Sequence, residues 1–319
     1  MTFSSAKYVT DMALDEDGHL WAATLDGVLR WNLADGSCTR YTVEDGLASK
    51  QVACIDTAPD GSLWFGTLNA GVSRLAPSSG VGSESGAWTT YTIDHGLAHN
   101  HVQGMAVARD GSLWFATYGG VSRLDLSAGT TGESARWTTY TTADGLPGNR
   151  VLSVVAHPDG SVWFGTFGQG VARLDPSAGT RPGEGRWKTF TTDDGLADDR
   201  VRAITAASDG TLWFATFGGG LSRLDPSIGF GRAGEGWATY TTADGLAEDV
   251  LTSVAVGSDG SVWIGAADNG VTRFDGASFT RYTAGHGLVD NEIWSILTAP
   301  DGTVWVGSIN GISCLSTSE

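Results

Sequence analysis

Three side chains are candidates for exchanging protons with a substrate: Glu292, Asp11 and His101. A carboxylate and an imidazole could act as general base and general acid in an elimination, a cyclisation or a hydrolysis. Arg150 and Arg200 could then stabilise the negative charge that develops in the reaction. A covalent route is not indicated, because the sequence has no Gly-x-Ser-x-Gly motif and no Cys beside a His.

Neither the histidines nor the cysteines form a pattern typical of a metal site. His95, His99 and His101 are close in sequence, but no His-Glu-x-x-His motif or set of carboxylates accompanies them. His286 occupies the same turn position as His95 in another part of the chain, which indicates a structural role. The three cysteines are widely spaced and include no Cys-x-x-Cys pair. We therefore expect no metal, no cofactor and no disulfide framework.

The charge of the chain excludes several classes of partner. Its 319 residues include 36 Asp and Glu and 19 Lys and Arg, which gives a formal net charge of -17 at pH 7. Such a surface repels nucleic acids and anionic membranes, and no apolar run approaches the roughly 20 residues of a spanning helix. The amino end shows no secretory signal. We expect a monomer that is cytoplasmic if Met1 is its natural start, and periplasmic or extracellular otherwise.

A sevenfold repeat must position the candidate residues. Each repeat contains an Asp-Gly-x-x-Trp segment, and successive tryptophans are 42 to 50 residues apart, the length of four short strands with their turns. The Asp-Gly pair predicts a hairpin, and the β-branched and aromatic residues around it predict strands. The repeated tryptophans are Trp21, Trp64, Trp114, Trp163, Trp213, Trp263 and Trp305.

Seven such units predict an all-β fold, a seven-bladed β-propeller of four-stranded blades that forms a single domain over residues 1–319. A solenoid is the alternative, but neither end carries a polar cap repeat. The seventh unit ends after its third strand, so we expect residues 2–4 to supply the outer strand, with Phe3 as its aromatic residue. We interpret the repeated Trp and third-strand Arg residues as scaffold, and the polar third-to-fourth strand connections of blades two to five as solvated loops.

The unit DGLPGNRVLSVVAHPDGSVWFGTFGQGVARLD, residues 144–175, resembles the two-component regulator propeller repeat. The resemblance lies in its Gly-Leu-Pro start, its Asp-Gly-x-x-Trp-Phe-Gly-Thr segment and its Gly-rich turn, and it recurs in seven units. It implies a propeller of a kind that commonly forms periplasmic ligand-sensing domains ahead of a membrane helix and a histidine kinase. A weaker similarity to streptogramin lyase-type propellers rests on the repeated Asp-Gly-x-Leu-Trp-Phe segment.

A ligand site is expected where the repeats differ, because packing requires the same residue in every blade and a ligand does not. Three positions near the predicted axial mouth differ between blades: the residue before the first strand, the residue two places later and the residue after the second-strand Thr. With one neighbouring turn residue, they give the expected ligand-binding set: Tyr8, Gln51, Tyr118, Arg150, Phe167, Arg200, Arg202, Phe217, Asp268 and Trp294.

The composition of this set predicts the kind of ligand. Tyr118, Phe167 and Phe217 would form an aromatic wall beside guanidinium groups, which suits an anionic or planar molecule. Asp11 stands out because the other blades have small residues at its position. We predict a noncatalytic module that binds a small molecule or glycan fragment at the axial mouth. The alternatives are a lyase, cyclase or hydrolase that uses the three proton-exchanging residues, and a platform for protein interaction.

Overall fold

A computed structural model of the protein describes residues 2–3, 6–77, 87–126, 136–176, 186–228 and 234–316. Within these residues the chain forms seven antiparallel sheets of four strands each. The first strand of each sheet contacts the first strand of the next sheet, and the last sheet contacts the first in the same way. The seven-bladed β-propeller expected from the repeats is therefore confirmed.

The strands follow chain order from the axis outwards in blades one to six. Blades one to three contain β2 (Val9–Leu14), β3 (His19–Thr24), β4 (Gly27–Asn32), β5 (Cys38–Tyr41), β6 (Val52–Thr57), β7 (Leu63–Thr67), β8 (Val72–Leu75), β9 (Trp88–Tyr91), β10 (Val102–Val107), β11 (Leu113–Thr117), β12 (Gly120–Asp125) and β13 (Arg136–Tyr140). Blades four to six contain β14 (Val151–Ala156), β15 (Val162–Thr166), β16 (Val171–Asp175), β17 (Arg186–Phe190), β18 (Val201–Ala206), β19 (Leu212–Thr216), β20 (Leu221–Leu224), β21 (Trp237–Tyr240), β22 (Leu251–Val256), β23 (Val262–Ala266), β24 (Val271–Phe274) and β25 (Phe279–Tyr282).

The seventh blade closes the ring with both ends of the chain. It contains β26 (Ile293–Thr298), β27 (Thr303–Ser308), β28 (Ile312–Ser316) and, as its outer strand, β1 (Thr2–Phe3). Phe3 lies opposite Ile312 in the ladder, and its ring centroid is 5.9 Å from that of Trp305. The predicted closing strand and its aromatic residue are thus confirmed for residues 2 and 3, whereas Ser4 lies outside the described residues.

Short 3₁₀ helices connect the blades. In the fourth connection the Thr191 N–H donates to the Asp194 carboxylate at 2.9 Å, and Gly195 follows with a φ of 112°. A Cβ at Gly195 would lie 3.0 Å from Trp237, so both the backbone angle and the packing favour Gly there. Leu196 is then buried between blades. The helices between blades are Val43–Asp45, Ile93–His95, Thr142–Asp144, Thr192–Asp194 and Ala284–His286, and a further one, Pro226–Ile228, lies between β20 and β21 of blade five.

One tryptophan per blade fills the space between neighbouring blades. Trp163 is fully buried; its ring stacks on Phe190 of its own blade at 5.3 Å and approaches Phe214 of the next blade at 6.2 Å. Trp64 has the same two kinds of neighbour, Tyr91 at 5.3 Å and Phe115 at 6.0 Å. The interpretation of the repeated tryptophans as core is confirmed.

The third-strand arginines belong to the scaffold as well. Arg74 donates to the hairpin Asp60 at 2.9 Å, and the same bond forms between Arg273 and Asp259 at 2.8 Å. Each guanidinium lies over its blade's tryptophan, as Arg74 does over Trp64 at 5.8 Å. Most residues of the third-to-fourth strand connections in blades two to five lie outside the described residues. No helix in the described ranges is long and apolar enough to span a membrane.

Every inner strand is interrupted by a β-bulge after its first residue. The pairing of β18 with β19, for example, shifts between Val201 and Ala203. A bulge leaves one residue out of the ladder and redirects its side chain. We call the seven residues at this position the bulge residues: Thr10, Ala53, Gln103, Leu152, Arg202, Thr252 and Trp294.

The inter-blade role of the tryptophans gives a first prediction. Trp163→Ala removes a fully buried ring that two blades share, and we expect it to lower the free energy of unfolding by about 3–5 kcal/mol. Chemical denaturation followed by circular dichroism measures this change. Ile93→Ala, at a residue that is 54% exposed, is the matched control and should change stability by less than about 0.5 kcal/mol. Equal stability of both variants would contradict the core assignment.

Candidate functional site

A pocket of about 310 Å³ opens at the axial mouth and is lined by blades three to seven. We call it the mouth pocket. Most of its lining belongs to the ligand-binding set expected from the sequence, and the rest are two bulge residues. The lining consists of Tyr118, Arg150, Leu152, Phe167, Arg200, Arg202, Phe217, Thr252 and Trp294. Their role in binding remains a prediction, but the structure brings them together.

The pairing of the first two strands places aromatic and cationic residues side by side at the rim. The N–H of Phe167 donates to the carbonyl of Arg150 at 3.0 Å, and the N–H of Phe217 donates to that of Arg200 at 2.9 Å. The residue before the inner strand therefore faces the residue after the second-strand Thr. These two variable sequence positions therefore form one continuous surface at the rim.

Cationic and aromatic groups stack along the rim of blades three and four. The His101 ring stacks on Tyr118 with centroids 3.7 Å apart. The Arg150 guanidinium lies between two rings, 4.4 Å from the centroid of Tyr118 and 4.0 Å from that of Phe167. Its Nη2 also donates to the Tyr118 hydroxyl at 3.0 Å. Burial lowers the pKa of His101, which favours the neutral ring in this stack.

Arg200 already has an anionic partner in the protein. Its Nε and Nη2 donate to the two carboxylate oxygens of Asp198 at 3.0 and 2.6 Å. This bidentate hydrogen bond holds the pKa of Asp198 below its usual range. The charge of Arg200 is therefore largely neutralised, and Arg200 is less suited to bind an anion than the sequence suggested.

Arg202 has no such partner in the described part of the chain. It is the bulge residue of β18, it lines the floor of the mouth pocket, and no hydrogen bond or ion pair to it is formed by a described residue. Burial lowers the pKa of its guanidinium. No described residue neutralises the charge of this half-buried guanidinium, which lines the open space of the pocket.

Below the mouth pocket the axial channel contains a cavity of about 200 Å³, lined by all seven bulge residues and by Asp11. The Asp11 carboxylate accepts N–H groups from Met12 at 2.9 Å and from Ile55 of the next blade at 3.0 Å. Burial nevertheless raises its pKa from 3.8 to about 7. Asp11 stood out in the sequence because the other blades have small residues at its position, and the structure places it in a buried position of the channel.

A second acid of the inner strands was not singled out from the sequence. Asp56 in β6 accepts N–H groups from Thr57 at 2.8 Å and from Val107 of the next blade, and burial raises its pKa to about 6. The other blades have uncharged residues at this position, so the same comparison of columns could have found it. The equivalents are Ala13, Ala106, Val155, Thr205, Ala255 and Leu297.

The remaining predicted residues surround the mouth pocket without lining it. Tyr8 is 46% exposed, and its ring lies 5.8 Å from that of Trp294. The indole N–H of Trp294 in turn donates to Glu292 at 3.0 Å. Gln51 is exposed and accepts a hydrogen bond from Asn69. Asp268 is also exposed, and its backbone N–H donates to Glu248.

The three proton-exchanging residues do not share a pocket. None of them lines the mouth pocket, and of the three only Asp11 lines the channel cavity. Glu292 is held by Trp294, and His101 is held in its stack on Tyr118. An acid–base pair that acts on one substrate needs both groups within hydrogen-bond reach of it. The arrangement therefore gives the catalytic alternative no geometric support.

One group of residues in the described chain has metal-ligand spacing, and it lies away from the mouth. The ligand atoms of Asp15, Asp17 and His19 are within 4.8 Å of one another. His19, however, hydrogen-bonds to Asp15, and the guanidinium of Arg30 lies 3.0 Å from its Nε2. A fixed cation at this distance opposes the binding of a metal ion. His95 instead accepts the N–H of Thr92 at 3.0 Å, as a structural residue of its turn.

The repeats match a known family model in four places, residues 96–119, 145–168, 195–218 and 287–310, and that model is described as the two-component regulator propeller. The chain carries two-component regulator propeller repeats. The matched segments each run from a connecting turn through the inner strand to the turn after the second strand. They therefore include the stretches that build the mouth pocket in blades four and five. A comparison with curated protein sequences gave no match.

Solved structures with the same fold come from sensors and from enzymes. The extracellular domain of a hybrid two-component system from B. thetaiotaomicron has a TM-score of 0.78 and 21% identity over 98% of this chain, which spans only 39% of that domain. Virginiamycin B lyase from Staphylococcus aureus, solved with quinupristin, has a TM-score of 0.73 and 18% identity, covering 99% of this chain and 97% of the lyase. A streptogramin B lyase has a TM-score of 0.71 and 18% identity, covering 97% of this chain and 93% of the lyase. At these identities the likeness shows the fold alone.

Asp198 is the rim residue that the sequence analysis missed, and a signal for it exists. It lies two places before the first variable column, at a position that also differs between repeats. That fourth column reads Ser49, His99, Gly148, Asp198, Glu248 and Asp290 in blades two to seven. Variation at this column would have marked Asp198 as part of the mouth. Its hydrogen bonds to Arg200 depend on side-chain geometry and could not have been predicted.

The raised pKa of Asp11 gives a prediction about pH. Between its unfolded value of 3.8 and about 7, the folded state holds a proton that the unfolded state releases, so this group lowers stability as pH rises through that range. We expect wild type to lose stability relative to Asp11→Asn between pH 5 and pH 8, by at most about 3 kcal/mol, since only the two pH units between 5 and the folded pKa contribute. Urea denaturation at both pH values measures the difference. Asp268→Asn, at an exposed carboxylate of the mouth, is the control. A wild-type minus Asp11→Asn difference that is the same at both pH values would show that Asp11 titrates normally.

Proposed function

We propose that this propeller binds a small anionic molecule in the mouth pocket. The observation that carries the proposal is Arg202, a half-buried guanidinium in the pocket floor with no hydrogen bond or ion pair to a described residue. A ligand carboxylate would supply the bidentate acceptor that the chain does not, and such charge-assisted bonds are strong when water is excluded. The fold makes the site available but does not identify the ligand.

The walls of the pocket favour a ligand with a planar or apolar body. Phe167 and Phe217 are 40% and 45% exposed, unusually high for large aromatic residues, and both face the pocket. Leu152 and Trp294 add apolar surface on the floor and on the opposite side. Pockets that bind small molecules commonly combine such surfaces with a few charged groups. A volume of about 310 Å³ suits a metabolite or one small glycan unit rather than a folded partner.

We prefer a binding module to an enzyme, because the expected acid and base groups lie apart from one another. The proposal also extends to the location of the protein. The two-component neighbours are described as extracellular domains, and this favours a periplasmic or extracellular location over the cytoplasmic one expected from the amino-terminal residues. Fractionation of cells that express the natural gene tests this, and recovery of the protein with cytosolic markers would contradict it.

Binding of aromatic carboxylates tests the proposed site directly. Titration calorimetry with a panel of benzoates, indole carboxylates and uronic acids should find at least one acid that binds better than its neutral amide. For that acid, Arg202→Met should weaken binding about 10- to 100-fold, because a buried charge-assisted hydrogen bond is lost. The unfolding midpoint should not fall, since the guanidinium has no partner in the described chain.

Arg123→Met is the matched control for Arg202→Met. It makes the same change in net charge, but Arg123 pairs with Asp110 at 2.7 Å in the scaffold and lies outside the mouth pocket. Its affinity for the acid should therefore equal that of wild type. Equal affinity of wild type and Arg202→Met would remove the proposed site. Conversion of any bound acid, followed by chromatography, would revive the enzyme alternative.

A further inference from the structure

The mouth pocket contains three guanidinium groups, and their different surroundings determine what they can bind. Arg200 is paired through two hydrogen bonds with Asp198, so its charge is already balanced. Arg150 and Arg202 have no acidic partner among the described residues. The pocket therefore presents two uncompensated positive charges and not three.

Two aromatic rings and one hydrogen bond hold the guanidinium of Arg150 in place at the rim. The guanidinium carbon lies 4.4 Å from the ring centroid of Tyr118 and 4.0 Å from that of Phe167. One Nη2 hydrogen is used by the Tyr118 hydroxyl. The remaining N–H groups lie in the plane of the group, which is the geometry that suits a carboxylate. The two rings and the hydroxyl fix this donor before any ligand arrives, so little entropy is lost on binding.

Arg202 lies deeper in the pocket than Arg150 and belongs to a different blade. Arg150 precedes the inner strand of blade four and belongs to the rim, whereas Arg202 is the bulge residue of blade five. It lines both the mouth pocket and the channel cavity beneath it, which places it where the two meet. The two guanidinium groups therefore start from different depths of the same pocket, and each can bind an acidic group of its own.

We propose that the ligand of the mouth pocket is a dianion whose two acidic groups are separated by a short planar or apolar body. One acidic group would bind the edge of Arg150 at the rim, and the other would bind Arg202 at the floor. The body would lie against Phe217 and Leu152, which line the pocket. A dicarboxylate is the simplest member of this class. This inference rests on the proposed function and specifies the ligand class of the same site.

Matched acids that differ by one charge test the inference. The probes are succinate, glutarate, adipate and the three benzenedicarboxylates, each with its monomethyl ester, measured by calorimetry at fixed ionic strength. Each pair keeps the body and removes one negative charge. For at least one pair, we expect the diacid to bind wild type at least tenfold more tightly than its monoester.

Two variants test whether Arg150 and Arg202 bind the two acidic groups of the ligand. Arg150→Met keeps an unbranched chain between the two rings, and Arg202→Met keeps most of the buried volume. In each variant the preference for the diacid over the monoester should fall to less than about threefold. The double variant should bind the diacid no better than wild type binds the corresponding neutral diester. Arg123→Met should keep the full preference, which controls for the change in net charge.

The outcomes separate this inference from the proposed function. If monoesters bind wild type as tightly as diacids, and Arg202→Met weakens both, the pocket binds a single anion and the dianion is wrong. If the preference for a diacid persists in Arg150→Met, the second group is not bound at the rim and the inference fails in the same way. If no acid of either kind binds wild type, the proposed function itself fails.

Discussion

The contact between one tryptophan and the aromatic residues of the next blade sets the geometry of the whole ring. Trp163 stacks on Phe190 within its blade and meets Phe214 of the following blade, so the ring that completes one sheet also spaces the next. Blades one to three make the equivalent contact with Phe65, Phe115 and Phe164, whereas Ile264 and Val306 pack with the tryptophans of blades five and six. The seventh sheet is completed by the two-residue strand at the amino end. Because these contacts are dry and regular, they fix the positions of the turns without help from the mouth.

That regular packing explains why function can vary at the mouth. The bulge in each inner strand takes one residue out of the ladder, and nothing in the sheet then requires a particular side chain there. Small or apolar residues fill the position in some blades, whereas blade five has Arg202. Its guanidinium has no carboxylate partner among the described residues, and a ring held together by seven buried tryptophans can tolerate an unpaired charge at the mouth. The unpaired charge is therefore compatible with the proposed binding site.

How much the sequence could predict depended on repetition. The period of Asp-Gly-x-x-Trp predicted the blade count, and Phe3 could be assigned because six other blades show what the missing strand must contain. Differences between repeats predicted most of the mouth pocket. They could not predict that Asp198 turns toward Arg200, or that two rings enclose Arg150, because both depend on side-chain rotamers in three dimensions. Nor could they show that Asp11 lies in the channel cavity and not in the mouth pocket, since the neighbouring bulge residues line both.

The strong negative charge of the chain is compatible with an anion site because the two act over different distances. Several acidic residues lie in the hairpins, where they pair with third-strand arginines such as Arg74 and Arg273. At physiological ionic strength, charges more than about 8 Å from a ligand are largely screened. A small acid inside the pocket therefore responds mainly to Arg150 and Arg202, whereas an extended polyanion meets the acidic surface of the ring along its length. This difference in range is consistent with the proposed small dianion and argues against nucleic acid at the mouth.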